Sequence, residues 1–193
     1  MPFSKDILAG SSGQGGGGFY DHQITNSCRF DSGDESGLRF GGASGTLGTP
    51  TNVQKGTYAV WLKRSKIGND YQNIFHSHTG SSGRNIAFDL NGTDDTLGFE
   101  QGGSSSAKFQ DTSAWYHLVV AWDLDNSSEQ NDRVIIYVNG TRQTLATNTL
   151  PSNTTTDSNF NVDGGTMHIG AYYSGGVVGY YSGYIADVNF VDG

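Results

Sequence analysis

Residues 114–145, AWYHLVVAWDLDNSSEQNDRVIIYVNGTRQTL, decide the class of fold. From 115 to 122 both alternating faces are largely apolar: Tyr116, Leu118, Val120 and Trp122 on one, Trp115, Val119 and Ala121 on the other. Successive strand side chains point to opposite sides, so this run reads as a strand inside a sheet covered, at least in part, on both faces. Val134, Ile136 and Val138 then mark one core face, opposite Arg133, Ile135 and Tyr137. Asn139-Gly140 supplies the two positive-φ residues that a type I′ turn demands and returns the chain into a third strand. The segment sets the fold class and carries no obvious chemistry.

Working outward, strand signals recur from residue 24 onward. They fall at 27–30, 37–40, 57–65, 72–77, 85–90, 96–101, 108–109, 167–171 and 184–191, with Gly, Asn and Asp clusters between them. Ten or more short strands separated by glycine turns predict an all-β fold, a two-sheet antiparallel jelly-roll sandwich over residues 21–193. In the last run, Tyr184, Ala186, Val188 and Phe190 are expected to face the core. Residues 1–20 differ: an apolar cluster precedes GSSGQGGGG, which has the composition of a flexible tether. The expectation is an N-terminal arm whose Phe3, Ile7 and Leu8 anchor it on another protein.

At 193 residues the chain can bury one sizeable core, and 29 glycines with only 16% charged residues argue against an ion-paired helical bundle. The net charge of −8 disfavours both a phosphate-tracking groove and an anionic membrane surface. No apolar run approaches the length of a bilayer span. Neither nucleic-acid binding nor membrane insertion is therefore expected. The single cysteine, Cys28, excludes an internal disulfide framework and is expected to be a small buried filler. The first residues lack the basic start and long apolar stretch of an export signal, so synthesis in a cytoplasm is expected.

SCRFDSGDESGLRF, YAVWLKRSKIG, DTSAWYHLVVAWD, DRVIIYVNGTRQT and GYIADVNFVDG together resemble concanavalin A-like (laminin G-like) jelly-roll domains. They look closer still to the version found in structural proteins of tailed bacteriophages. The run Trp115 to Val120 with the Tyr-Val-Asn-Gly turn is typical of the superfamily, whereas the FSKDILAG start and the GYIADVNFVDG end are more particular to the phage proteins. The resemblance covers residues 3–193. It implies a virion component assembled in the host cytoplasm: a capsid decoration, head fibre or tail appendage, displayed as a homo-oligomer on a symmetric particle. Other virion proteins would be its partners, through the arm. The alternative is a glycan-binding lectin or adhesin for host-surface polysaccharide.

Catalysis can be tested against the residues. Retaining glycosidases need two carboxylates about 5 Å apart, in this fold usually two glutamates on one strand. Glu35, Glu100 and Glu129 lie in three different segments and no Glu-x-Asp occurs. Asp94 and Asp95 adjoin, and neighbours on a strand point apart, so a turn is the expected place for them. A G-x-S-x-G nucleophile elbow is absent. No enzyme is expected.

Ligand sites are sparser still. The oxygen-rich loop at 123–132 lacks the EF-hand glycine and terminal bidentate glutamate, and a solvated turn is its default reading. His76 and His78 share a strand face and would hold a transition metal only if a third ligand approached. No carboxylate or cysteine is near them in sequence, so they read as surface residues. His117 reads as a hydrogen-bonded interior histidine and His168 as part of a strand. Neither metal nor other cofactor is expected. AYYSGGVVGYYSGY nearly repeats itself, placing Tyr172, Tyr173, Tyr180 and Tyr181 beside glycine turns. Such tyrosines either stack on sugar rings or pack on the sandwich or a neighbouring subunit. A glycan patch, if the chain has one, is expected at these four.

Overall fold

The computed structural model describes residues 24–42, 49–68, 71–79, 82–88, 95–99, 103–125, 132–145 and 164–193. These build two six-stranded antiparallel sheets. The first runs β1 (Cys28–Phe30), β14 (Gly183–Asp192), β3 (Lys55–Arg64), β8 (Tyr116–Asp123), β9 (Val134–Val138), β10 (Thr141–Arg142). The second runs β2 (Leu38–Gly41), β11 (Thr166–Ile169), β4 (Gln72–Thr79), β5 (Ser82–Phe88), β6 (Thr96–Phe99), β7 (Gly103–Lys108). A separate two-stranded hairpin joins β12 (Tyr172–Tyr173) to β13 (Val177–Val178). Among the described residues no helix is long and apolar enough to cross a membrane.

The core fills the gap between the sheets, and period-two alternation sorts the residues into it. On β3 the buried set is Gly56, Tyr58, Val60, Leu62 and Arg64; on β8 it is Tyr116, Leu118, Val120 and Trp122; on β9 it is Val134, Ile136 and Val138. Aromatic rings bridge the two sheets: Tyr58 stacks on Phe75 at 4.6 Å, and Trp122 meets Phe99 at 6.2 Å. Offset and tilted ring pairs of this kind add to the burial of their large apolar areas. The Asn139-Gly140 hairpin forms as predicted, with φ of 49° and 75°. The Asn139 side chain also accepts the His117 N–H at 2.8 Å, which ties the turn to β8.

Three expectations need correction. The outer face of β8 is partly covered, as expected, but His117 does not take the interior place expected of it. Trp61 stacks on His117 directly across the β3–β8 ladder at 4.8 Å, and Trp115 packs on Tyr184. His117 thus belongs to an outer aromatic pair and not to the interior. On β14 the alternation changes phase at a bulge between Ala186 and Asn189, where Asp187 takes a φ of 48°. An extra residue in one strand of a pair inverts the faces beyond it. Ile185 and Ala186 are buried as a result, Phe190 packs against the core, and Tyr184 and Val188 are exposed. Cys28 is exposed, because β1 is a three-residue edge strand that sends only Phe30 inward. Phe3, Ile7 and Leu8 lie outside the described residues.

Candidate functional site

Among the described residues, three histidines gather on the outward face of the second sheet. His76 and His78 sit two residues apart on β4, and the pleat aims both the same way. The β4–β11 register places His168 directly opposite His76. The ring centroids of His76 and His78 are 5.1 Å apart, those of His78 and His168 5.4 Å, and those of His76 and His168 5.9 Å. One ligand nitrogen from each lies within 4.8 Å of the others. On β5, Gly83 pairs with His78 and presents no side chain; a Cβ there would lie 2.3 Å from His76 Nε2.

The β12–β13 hairpin lies over this group. Tyr173 stacks flat on His78 at 4.6 Å and 7°, Tyr172 meets His76 edge-on at 4.7 Å, and the Tyr173 N–H donates to His76 Nδ1 at 3.3 Å. Tyr71 packs edge-on against Tyr172, and the Tyr180 hydroxyl donates to the Val177 carbonyl at 3.1 Å. The hairpin's outer side stays open: Tyr173 keeps 37% of its surface exposed, and Val177 and Val178 are exposed beside it.

Burial sets the protonation of the histidines. It lowers His76 to about 3, with further depression from His78 and His168, and it lowers His168 to about 4, with further depression from His78 and Arg39. Both are neutral imidazoles at pH 7. His76 Nε2 and His168 Nε2 are buried without a hydrogen-bond partner.

Of the four tyrosines singled out by the repeat, the structure gathers Tyr172, Tyr173 and Tyr180 at the hairpin. Tyr181 is a correction: it is fully buried, edge-on to Phe30, and offers no face to a sugar. His168 supplies the third imidazole beside His76 and His78 that the sequence pattern lacked; only strand register could reveal it. Asp95, expected in a turn, lies in a bend and is buried there, paired with buried Arg64 at 2.9 Å. The signal for that pair was Arg64 itself, the next core-facing position after Tyr58, Val60 and Leu62. In the acidic loop, Asp123 pairs with Lys55 and Asp132 with Arg142, whereas residues 126–131 lie outside the described ones.

A family model described as the concanavalin A-like lectin/glucanases superfamily, of laminin G type, matches residues 32–193. None of the curated proteins matches the sequence. Among solved structures the fold is similar to a heptameric SAP-like pentraxin from Limulus polyphemus, with TM-score 0.52 and 18% identity over 80% of this chain and 68% of that one. It is also similar to the enzymatically active domain of tailspike protein 2 from bacteriophage CBA120, with TM-score 0.55 and 12% identity over 88% of this chain and 26% of that one. Trypanosoma rangeli sialidase in complex with sialic acid gives TM-score 0.51 and 14% identity over 88% of this chain and 27% of that one. The chain thus spans about a quarter of the tailspike and sialidase chains, and at these identities the likeness is one of fold. With two facing antiparallel sheets and a match along most of its length, the chain belongs to the concanavalin A-like lectin/glucanase superfamily.

Proposed function

We propose that the protein is a non-catalytic structural component of a tailed-bacteriophage virion, which displays its lectin-like sandwich as a knob and binds host-surface glycans through the β12–β13 hairpin. One observation carries the binding half: Tyr173 is an exposed ring lying flat against His78 and hydrogen-bonded through its backbone to His76. A preorganised aromatic face of this kind offers a sugar an apolar platform at little entropic cost. The virion half rests on the phage-like start and end of the sequence, with residues 1–20 as the anchoring arm. The tailspike, the sialidase bound to sialic acid and the heptameric pentraxin make glycan recognition and repeated copies natural uses of such a body. The absence of any Glu-x-Asp in the sequence favours binding over hydrolysis.

Two measurements test the halves separately. On a glycan array the wild-type protein should bind a defined set of sugars, and Tyr173→Ala should lose them; no binding above background removes the lectin reading. Deleting residues 1–18 should abolish incorporation into particles while leaving the sandwich folded. Incorporation that persists without them refutes the arm as anchor. Turnover of β-glucans above buffer would show that the chain is an enzyme after all.

A further inference from the structure

Among the described residues, no hydrogen bond uses the Nε2 atoms of two of the three clustered histidines. His76 Nε2 and His168 Nε2 are buried and unpartnered, a costly condition that folded proteins normally avoid. We propose that His76, His78 and His168 bind one divalent transition-metal ion of the zinc class, joining β4 to β11 and leaving a fourth coordination position to water or an outside ligand.

The donor set selects the metal. Three imidazoles with no carboxylate among them suit borderline ions such as zinc, copper or nickel; calcium and magnesium want oxygen. The near-parallel rings must turn toward one another as well as approach. Nitrogens within 4.8 Å of one another must close to about 3.3 Å, the edge of a tetrahedron with metal–nitrogen bonds of about 2.0–2.1 Å. His78 is the half-buried member, so most of that movement falls to it, and the Tyr173 ring stacked on it must shift as well. His76 and His168 are fixed opposite each other by the β4–β11 ladder. Gly83 lets the His76 imidazole lie close against β5, since a Cβ there would come within 2.3 Å of Nε2. Arg39, across from His168 on β2, is exposed; its charge favours an anionic fourth ligand.

Filling the site has a consequence for the hairpin. His76 Nδ1 accepts the Tyr173 N–H, so in the metal-free chain the single imidazole proton sits on Nε2. Ligation through Nε2 moves that proton to Nδ1, where it confronts the Tyr173 N–H, and the hairpin bond must open.

The test uses the full-length protein stripped of metal. Calorimetric titration should show one equivalent of Zn²⁺ bound, with a rise in Tm. Co²⁺ should give the visible bands of a four-coordinate nitrogen site and be displaced by Zn²⁺. His168→Asn and His78→Asn should each weaken Zn²⁺ binding by roughly a hundredfold, at least the loss seen when even outer partners of metal ligands are removed. His117→Asn, on the opposite sheet, should leave binding unchanged. The proposal is overturned if the wild-type protein takes up no stoichiometric Zn²⁺, or if uptake survives both cluster variants. Should those variants fail to fold, the wild-type Co²⁺ spectrum decides, and a six-coordinate or absent signal counts against the site.

Discussion

Arg64 brings a charge into the core, and its neighbours make that tolerable. Its guanidinium pairs with Asp95 at 2.9 Å, donates to the Phe109 carbonyl at 2.7 Å and lies over the Phe88 ring at 4.2 Å. Asp95 in turn accepts from Gln110 and from the Gly68 N–H. Burial alone would raise the Asp95 carboxyl, but these two hydrogen bonds and the Arg64 charge outweigh it and hold the group below the usual carboxylate range. A carboxyl lower in the folded than in the unfolded chain supplies stability that is complete above its unfolded value and lost as pH falls through the folded one. Asp95→Asn should therefore cost about 3–5 kcal/mol at neutral pH by stranding a buried guanidinium. Urea unfolding should show Arg64→Met combined with Asp95→Asn less damaged than Asp95→Asn alone, because the stranded charge is gone. His76 and His168 act in the same direction at higher pH. Both are depressed in the fold, to about 3 and about 4, against 6.5 when unfolded. The unfolded chain thus gains protons first, and with a chelator present stability should decline as pH falls from 6.5 toward 4. His76→Gln should flatten that decline; a slope unchanged by it would mean that the imidazole is not held neutral by burial.

The near-repeat in the sequence does not survive as a repeat of elements. Tyr172-Tyr173-Ser174-Gly175 opens the surface hairpin, whereas Tyr180-Tyr181-Ser182-Gly183 leaves it, buries Tyr181 and Ser182 and starts β14. The residues C-terminal to each tetrapeptide make the difference. Gly175 and Gly176 turn the chain back on itself, while Ile185 and Ala186 continue into the core. Similar letters therefore predict opposite costs. Tyr181→Ala empties a fully buried site and should lose about 3–5 kcal/mol in chemical denaturation, as large-to-small changes at buried rings do. Tyr173→Ala removes surface ring stacks on His78 and His168 and should lose about 1 kcal/mol, so any loss of glycan binding in it reflects the surface and not the fold. Equal destabilisation by the two would contradict the division of the repeat. The bulge in β14 hid in the same manner. Both phases of residues 184–191 hold apolar side chains, and nothing local says where an extra residue is inserted; the αL position of Asp187 follows from pairing with β3.

At the scale of the whole molecule, periodicity accounts for the part of the fold that was legible in sequence. The inward faces of β3, β8 and β9, the Asn139-Gly140 turn and the two-sheet class come from alternation and turn chemistry within short windows. The illegible part depends on register between distant segments: His168 beside His76, Asp95 beside Arg64, and the order of strands in each sheet. That order gives the final strand an unequal share of the work. Although β14 comes last in the chain, it lies inside the first sheet, hydrogen-bonded to β1 on one side and β3 on the other. It also sends Ile185 and Ala186 into the core, packs Phe190 against both Phe75 and Trp122, and comes directly after Tyr181 and Ser182. Without residues 180–193, β3 would become an edge with unpaired backbone groups and the sandwich would lose part of its central aromatic packing. A chain ending at Gly179 should then fail to unfold cooperatively on heating and should bind hydrophobic dyes, whereas one lacking residues 1–18 should melt as the full-length protein does. A cooperative transition in the shorter chain, measured by circular dichroism, would show that β1 can pair with β3 directly and that the closing strand is dispensable to the fold.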